Sequence, residues 1–274
     1  MKAYSYIYDL YEAAVQNVDA DINTALRIFN KHNISKPTLI REDFCGTAKL
    51  AIEWVKRNTN NYAWGIDLEQ SALDWTTQNH VSDLNKEQQK RINLIRCDVI
   101  DCSISPVDII LALNFSFCVF KKRLMLKKYF QNVRKGLKKN GVFILDIYGG
   151  TESIISKEDE VRDIQSFTTK AGNFIPKFKY IWEQFTYNPI THHTTCYIHF
   201  DIPGLRKIRK AFTYEWRLWT LPEIQELMKE AGFKKTEVYI HGFDKSGNSD
   251  DIFRLRRKYE NTEGWVAYVA GINL

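Results

Sequence analysis

The sequence predicts an α/β protein in which helices cover both faces of a mostly parallel sheet. Short apolar strands alternate with amphipathic helices between residues 38 and 147, as in repeated βαβ units. Several strands, such as residues 107–113 and 141–147, are nearly continuous apolar runs, which is typical of strands buried on both faces. After about Gly150 the alternation ends, and consecutive strands predict an antiparallel insert in this doubly wound sheet.

Two helices are predicted before the first strand, at residues 3–16, where tyrosine is frequent, and at residues 20–31. The first strand, residues 38–41, leads into a tight turn and then into a helix at residues 48–57. Seven sheet strands are expected in total, and the other six lie at residues 62–66, 92–97, 107–113, 141–147, 236–241 and 265–272.

The second half of the chain contains the insert and the closing elements. Three insert strands are predicted at residues 178–187, 194–202 and 208–217, because turn residues such as Asn188-Pro189 and Pro203-Gly204 separate them. Thr220 and Glu223, three residues apart, predict a capping box at the start of a last helix, which ends at Gly232.

The composition is that of an ordinary globular protein, with 44% hydrophobic and 26% charged residues among 274. The longest apolar run is too short to cross a bilayer, and the first residues lack the apolar segment of a secretory signal, so we expect a cytoplasmic protein that does not bind membranes. The five cysteines have neither zinc nor complete disulfide spacing, which predicts reduced thiols and no metal site. The pair His192-His193 is expected in an exposed turn.

A net charge of +6 is compatible with binding to an acidic partner. The largest basic cluster, residues 121–139, has apolar residues at helical spacing, so its lysines and arginines fit the solvated face of an amphipathic helix. A nucleic-acid surface is the weaker interpretation of this cluster.

Polar residues follow the first four predicted strands, where ligands bind in an open α/β sheet. Asp67 lies 21 residues after Gly46, close to the ~20 residues expected for a carboxylate that binds ribose hydroxyls. The turn has only Gly46, whereas a dinucleotide site needs G-x-G-x-x-G to approach a pyrophosphate. This pattern predicts an adenosine ligand without phosphates, and Asp98 after the third strand suits the adenine amino group.

These residues resemble class I S-adenosylmethionine-dependent methyltransferases, which have a Rossmann-like fold. The first motif of that family, D/E-x-G-C-G-T-G, corresponds here to Glu42-Asp43-Phe44-Cys45-Gly46-Thr47-Ala48. Acids also end the second strand, in Gly65-Ile66-Asp67-Leu68, and the third, in Arg96-Cys97-Asp98-Val99. The resemblance covers about residues 36–149 and 214–274, and it departs from the family at Phe44 and Ala48, which replace glycines.

The resemblance implies S-adenosyl-L-methionine as cofactor and S-adenosyl-L-homocysteine as product. It implies that Glu42 and the turn at Gly46 and Thr47 hold the methionine part, Asp67 the ribose, and Asp98 with Val99 the adenine. Arg41 is expected to reach the ligand carboxylate, and Tyr11 to fold over the ligand with Tyr8. The full predicted cofactor set is Tyr11, Arg41, Glu42, Phe44, Cys45, Gly46, Thr47, Asp67, Leu68, Asp98, Val99, Asn114 and Phe115.

Methyl transfer depends mainly on alignment, with a general base only where the nucleophile carries a proton, so the catalytic residue is left open. The candidates are Asn114, Ser116, Glu183, His199 and Tyr214. The segment 114–117 lacks the Asn/Asp-Pro-Pro-Tyr pattern associated with methylation of nucleic-acid bases. Aromatic residues of the insert, such as Trp182 and Trp216, predict a pocket for a cationic or flat acceptor.

The sequence therefore predicts methyl transfer to a nitrogen or oxygen atom of a small molecule. An RNA or protein methyltransferase and a non-catalytic adenosyl-binding protein are the alternatives, and both a monomer and a homodimer remain open. We expect one catalytic domain, residues 1–274, in four parts. These are N-terminal lid helices (1–36), a cofactor-binding core (37–150), a β-rich substrate cap (151–217), and a C-terminal helix with closing strands (218–274).

Overall fold

A computed structural model describes residues 6–205, 207–242, 249–250 and 252–274. The first residues of the predicted helix at 3–16 and Arg206 in a basic cluster lie outside these ranges. The helices are α1 Ile7–Val15, α2 Val18–Asn30, α3 Lys49–Arg57, α4 Gln70–Thr76, α5 Lys86–Gln89, α6 Arg123–Lys135 and α7 Leu221–Glu230. A π-helical turn, Thr77–Val81, extends α4.

The strands follow the predicted order, with additional short ones. Their bounds are β1 Leu39–Asp43, β2 Tyr62–Asp67, β3 Ile92–Arg96, β4 Val107–Ala112, β5 Leu137–Gly149, β6 Glu158–Ile164, β7 Phe167–Thr168, β8 Phe174–Ile175, β9 Phe178–Tyr187, β10 His193–Asp201, β11 Ile208–Arg217, β12 Lys235–Ile240, β13 Arg254–Leu255 and β14 Trp265–Ile272.

The central sheet has the strand order β13-β12-β14-β5-β4-β1-β2-β3. Strands β1 to β5 pair in parallel, and β14 is antiparallel to both β5 and β12. The doubly wound α/β class is confirmed, and the seven expected strands gain an eighth, the two-residue β13 at one edge. Strand order reverses between β1 and β4, which is the point where ligands bind in such sheets.

Two apolar layers lie on opposite faces of this sheet. In β4, Ile110 and Ala112 pack with α6 and α7, whereas Ile109 and Leu111 pack with α2 and α3. Side chains alternate between the faces of a strand, so a continuous apolar strand supplies both layers. The predicted capping box at the start of α7 is confirmed, since Thr220 and Glu223 bond each other's backbone N–H groups.

The insert forms a separate antiparallel sheet with the order β11-β10-β9-β6, beside a small hairpin of β7 and β8. Its inner face packs against α1, where Leu10 and Ala14 contact the apolar side chains of β9 and β10. The sequence did not predict β6, β7, β8 or β13. The strand β6 reads Glu-Asp-Glu-Val-Arg-Asp-Ile, a charged pattern that suits an edge strand but carries little periodic signal.

Three basic side chains of α6 form ion pairs within the protein. Arg123 and Lys127 bind Glu230 of α7, and Lys128 binds Asp101 at 2.7 Å. This arrangement agrees with the solvated helix face predicted for the cluster. All five cysteines are free thiols. Within the described ranges, no helix is long and apolar enough to cross a membrane.

Candidate active site

The turn after β1 has three residues in the left-handed backbone region. The φ angle is 56° at Phe44, 52° at Gly46 and 48° at Ala48. For residues other than glycine this conformation costs roughly 1–2 kcal/mol. Phe44 and Ala48 therefore keep the backbone path that glycine would favour, and strain of this kind is often retained at binding sites.

Open space adjoins Gly46 at the centre of this turn. A Cβ atom added to Gly46 would meet no atom within 4 Å. Next to it, Thr47 is buried, and its hydroxyl has no hydrogen-bond partner in the described part of the chain. Because a buried polar atom without a partner is costly, the Thr47 hydroxyl marks a place for a ligand group.

Asp67, at the end of β2, contacts the same turn. Its Oδ2 accepts a hydrogen bond from the Gly46 N–H at 2.7 Å, and Oδ1 accepts one from the Glu69 N–H at 2.8 Å. A carboxylate has about four acceptor sites, so Asp67 retains capacity for two further donors such as ribose hydroxyls. Leu68 follows and is exposed beside this carboxylate.

Asp98 lies after β3, the neighbouring strand, where the Cys97 N–H donates to the Asp67 carbonyl at 3.0 Å. One Asp98 oxygen accepts the Ile100 N–H at 2.9 Å, which fixes the loop. The side chain of Val99 is in the core, so only its backbone is positioned to meet a ligand. The two predicted acids therefore lie at adjacent strand ends.

Glu42 and Cys45 are buried on the α3 side of the turn. Glu42 Oε2 accepts the Ala51 N–H in the first turn of α3 at 2.9 Å, and burial raises the pKa of Glu42 to about 8. Burial and the nearby carboxylates also raise the pKa of the Cys45 thiol, which makes it a poor nucleophile. Both side chains shape the turn from the protein side.

Arg41 does not reach the turn, which corrects the expectation from sequence. It is fully buried, and its Nε donates to Asp43 Oδ1 at 2.6 Å while its other nitrogens lie 3.4 Å from the carbonyls of Val99 and Cys102. Alternation along β1 places Arg41 and Asp43 on one face and Glu42 on the other. Arg41 thus supports the Asp98 loop from beneath.

Phe44 packs into the core beneath the turn. Its ring lies edge-on to Phe120 and Tyr129, at centroid distances of 5.9 and 5.7 Å. The Tyr129 hydroxyl donates to Asp43 Oδ2 at 2.8 Å, which ties the same region to α6. The Phe44 ring therefore adds packing on the core side of the turn.

A second strained turn follows β4, and sequence reasoning missed the residue that holds it. Asn114 and Phe115 both have φ of 57°, and their N–H groups donate to Asp146 Oδ2 and Oδ1 at 2.9 and 2.8 Å. Removal from water raises the pKa of Asp146 to about 7, although these two N–H groups oppose the shift. A lone acid inside the apolar strand β5 was the signal that could have identified Asp146.

Five rings form an aromatic cluster beside this turn: Phe115, Tyr148, Trp182, Tyr214 and Trp216. Phe115 is centred 4.8 Å from Tyr148 and 6.4 Å from Trp216. Tyr214 lies 4.5 Å from Trp216 and 5.7 Å from Trp182. The cluster joins the insert to the carboxyl ends of β4 and β5.

Tyr11 of α1 lies close to the aromatic cluster. Its ring centroid is 4.9 Å from that of Phe212 in the insert. Burial raises the pKa of Tyr11, and a hydrogen bond with Tyr214 of the aromatic cluster opposes the shift. Helix α1 therefore packs against the insert beside the aromatic cluster.

The structure separates the five catalytic candidates. Asn114 and Tyr214 lie at the β4 turn and the aromatic cluster, and the Ser116 hydroxyl donates to the Leu113 carbonyl at 2.6 Å within that turn. Glu183 Oε2 and His199 Nε2 are hydrogen-bonded at 2.7 Å. Because side chains alternate between the faces of a strand, both residues lie on the face of the insert sheet opposite to Trp182. That alternation removes Glu183 and His199 from the site.

The paired histidines, His192 and His193, line a polar cavity of about 440 Å³ with Arg217 and Glu223, so they are not in a fully exposed turn. Across the described ranges, no group of three or more His, Cys, Asp or Glu side chains has an arrangement that could hold a metal ion.

No protein-family model matches the sequence, and no curated protein sequence matches it significantly. The structure is similar to an S-adenosylmethionine-dependent methyltransferase from Clostridium acetobutylicum, with 20% identity, 98% of both chains covered and a TM-score of 0.62. It is also similar to an S-adenosylmethionine-bound amino pentose methyltransferase from Micromonospora echinaspora, with 12% identity, 95% of both chains covered and a TM-score of 0.65. A sugar N-methyltransferase from Streptoalloteichus has 13% identity and a TM-score of 0.63, with 95% of this chain and 91% of that chain covered. The protein therefore has the fold of S-adenosylmethionine-dependent methyltransferases.

Proposed function

We propose that the protein transfers a methyl group from S-adenosylmethionine to a nitrogen or oxygen atom of a small molecule. The open space beside Gly46, with the unpartnered Thr47 hydroxyl and the Asp67 carboxylate at its border, carries this proposal. Two acids at adjacent strand ends and a single-glycine turn suit an adenosyl ligand without phosphates. The names of the structural neighbours, which describe methyl transfer, support the same conclusion.

In this proposal the turn at Gly46 and Thr47 binds the methionine part, Asp67 the ribose hydroxyls, and Asp98 the adenine. S-adenosylmethionine supplies a methyl group made electrophilic by its positively charged sulfur. The protein aligns the acceptor with that group and excludes water, which together account for most of the acceleration expected in such a transfer. Asp146 fixes the turn of Asn114 and Phe115 that borders the acceptor side.

The four-part organisation expected from sequence is retained as part of this proposal. The packing of α1 against the insert, with Tyr11 against Phe212, supports a lid function for the N-terminal helices and a cap function for residues 151–217. Two neighbours are named for amino pentose and sugar substrates, which supports a small acceptor with an amino or hydroxyl group.

Calorimetry with S-adenosylhomocysteine tests the donor site. We expect binding of one ligand per chain, weakened more than tenfold in Asp67→Asn and about threefold to tenfold in Thr47→Val, which keeps the side-chain shape but removes the hydroxyl. Asp74→Asn, an exposed acid of α4, is the matched control and should bind like the wild type. Absence of heat at millimolar ligand would refute the proposal.

Transfer itself is measured with isotopically labelled donor and a panel of small amines and hydroxyl compounds. Methylation of any of them supports an enzyme. Binding of S-adenosylhomocysteine with no methylation across the panel would instead favour a non-catalytic adenosyl-binding protein.

A further inference from the structure

An apolar cavity of about 290 Å³ lies where β5 ends and β14 begins. This is the same end of the sheet as the proposed site, at the carboxyl ends of the parallel strands. Trp265 pairs with Gly149 across these two strands. We name it the ring cavity, because four aromatic side chains line it: Tyr148, Tyr187, Trp219 and Trp265. Leu221 and Pro222 at the start of α7 complete the wall.

Two residues of this wall, Tyr148 and Trp219, have a buried side-chain polar atom without a hydrogen-bond partner in the described part of the chain, and Trp219 is the more deeply buried of the two. It is 2% exposed, and its indole N–H has no hydrogen-bond partner in the described part of the chain. The guanidinium of Arg217 lies 3.7 Å from the ring centroid and covers one face of the indole. Because a buried N–H without a partner is costly, the indole edge is suited to a ligand that brings an acceptor atom.

The ring cavity adjoins the proposed site of methyl transfer. Tyr148 belongs both to its wall and to the aromatic cluster, where its ring is 4.8 Å from Phe115. Asp146, two residues before Tyr148, accepts a hydrogen bond from the Phe115 N–H. A ligand in the ring cavity would therefore extend toward the turn where the acceptor atom is expected, at the carboxyl ends of β4 and β5.

We propose that the ring cavity binds a planar, apolar ring of the acceptor, and that the Trp219 indole N–H donates to an acceptor atom in the plane of that ring. Flat aromatic walls stack well on a flat ring, whereas the hydroxyls of a polyol would lose their water without replacement. This inference rests on the proposed function and narrows the acceptor to a ring compound with an amino or hydroxyl group.

Quinoline is the probe, because it is a planar two-ring molecule with one ring nitrogen that accepts a hydrogen bond. Naphthalene has the same shape and lacks that nitrogen. The chain has seven tryptophans, so their ¹⁵N-labelled indole signals can be resolved by NMR, and Trp219→Phe assigns the one of interest. We expect quinoline to shift the Trp219 signal in a saturable way, and naphthalene to bind at least fivefold more weakly.

Trp219→Phe keeps an aromatic ring and removes the N–H. We expect it to weaken quinoline binding about fivefold and to leave S-adenosylhomocysteine binding within twofold of the wild type. Trp54→Phe is the matched control, since Trp54 is equally buried but lies on the α3 side of the sheet, and it should change neither affinity.

An unshifted Trp219 signal in the wild type, or equal affinities for quinoline and naphthalene, would overturn the inference without any variant. Displacement of S-adenosylhomocysteine by quinoline would also overturn it, because the ring would then occupy the donor site. Binding of S-adenosylhomocysteine with no quinoline binding leaves the proposed function intact. Quinoline binding without S-adenosylhomocysteine binding would refute the proposed function and leave the ring cavity as a binding site.

Discussion

Phe44 has a backbone conformation that favours glycine, and its ring explains how another residue is tolerated there. With φ of 56°, the residue adds strain to the turn, but its ring contacts Phe120 and Tyr129 on the core side. The packing offsets the strain. The other side of the turn is left to Gly46 and Thr47, so the Phe44 ring does not fill the donor site that we propose there.

Phe44→Ala tests this division between core side and ligand side. We expect a loss of about 2–3 kcal/mol in the free energy of unfolding, somewhat less than for a fully buried phenylalanine, because Phe44 is half-buried. Urea denaturation measures this loss, and calorimetry should show S-adenosylhomocysteine affinity within about threefold of the wild type. Phe174→Ala, at an exposed ring, is the control. A tenfold loss of affinity at unchanged stability would mean that the Phe44 ring faces the ligand.

Helix α1 is attached to the turn that extends α4 and to the β7–β8 hairpin by buried acids. Glu12 Oε1 bonds His80 Nε2 at 2.6 Å, and His80 lies in the π-helical turn that extends α4. Asp9, one helical turn earlier on the same side, accepts the Lys170 N–H at 3.1 Å. These contacts hold α1 where Tyr11 packs against Phe212 of the insert, at a ring-centroid distance of 4.9 Å.

His80→Ala should loosen α1 without unfolding the sheet. The variant leaves the Glu12 carboxylate buried, with Lys49 at 3.7 Å as its remaining ion-pair partner among the described residues, and we expect a local cost of about 2 kcal/mol. Hydrogen exchange measures it as roughly 30-fold faster exchange over Ile7–Val15, at unchanged rates in β1 and β4. His32→Ala removes a histidine from another buried acid, Glu237, and should leave α1 unaffected. Equal acceleration in both variants would show that the Glu12–His80 contact does not hold the helix.

At the scale of the whole molecule, Glu237 links the end of α2 to β12 and makes stability depend on pH. Burial raises the pKa of Glu237, but hydrogen bonds from four side chains lower it to about 2: Tyr239, Lys31, His32 and Lys235. This value is below the ordinary carboxyl pKa, so the ionised group stabilises the fold at neutral pH. The contribution is lost as the pH falls from about 4.5 towards 2.

Glu237→Gln should therefore be less stable than the wild type by about 2 kcal/mol at pH 7, with the difference shrinking at pH 4 and again at pH 3. Urea denaturation at the three pH values measures it. Glu87→Gln removes an exposed partner of Lys90 and should leave the denaturation midpoint unchanged throughout. A difference that stays constant with pH would show that the effect of Glu237 comes from packing and not from its charge.

The sequence by itself determined the features that follow from local chain rules. Apolar periodicity identified the alternating strands and helices, and Thr220 with Glu223 identified the start of α7. Because parallel strands end at one edge of a sheet, the order of strands also brought Gly46, Asp67 and Asp98 together as candidates. The class of fold was predictable for this reason, and so was the meeting of these residues at the end of the sheet where we propose the donor site.

Only the tertiary structure decided which side chains face that site. Side chains alternate between the two faces of β1 and β9, and this alternation points Arg41 and Glu183 away from the proposed site. A shift of one residue in strand register would move each side chain to the opposite face. Pairing of distant strands brought Asp146 to the Asn114 turn and placed Trp219 beside Tyr148 in the ring cavity. The charged segment β6 is a strand because its backbone pairs with the edge of β9. Strand register and long-range packing depend on contacts between distant parts of the chain, and a local pattern of residues does not contain them.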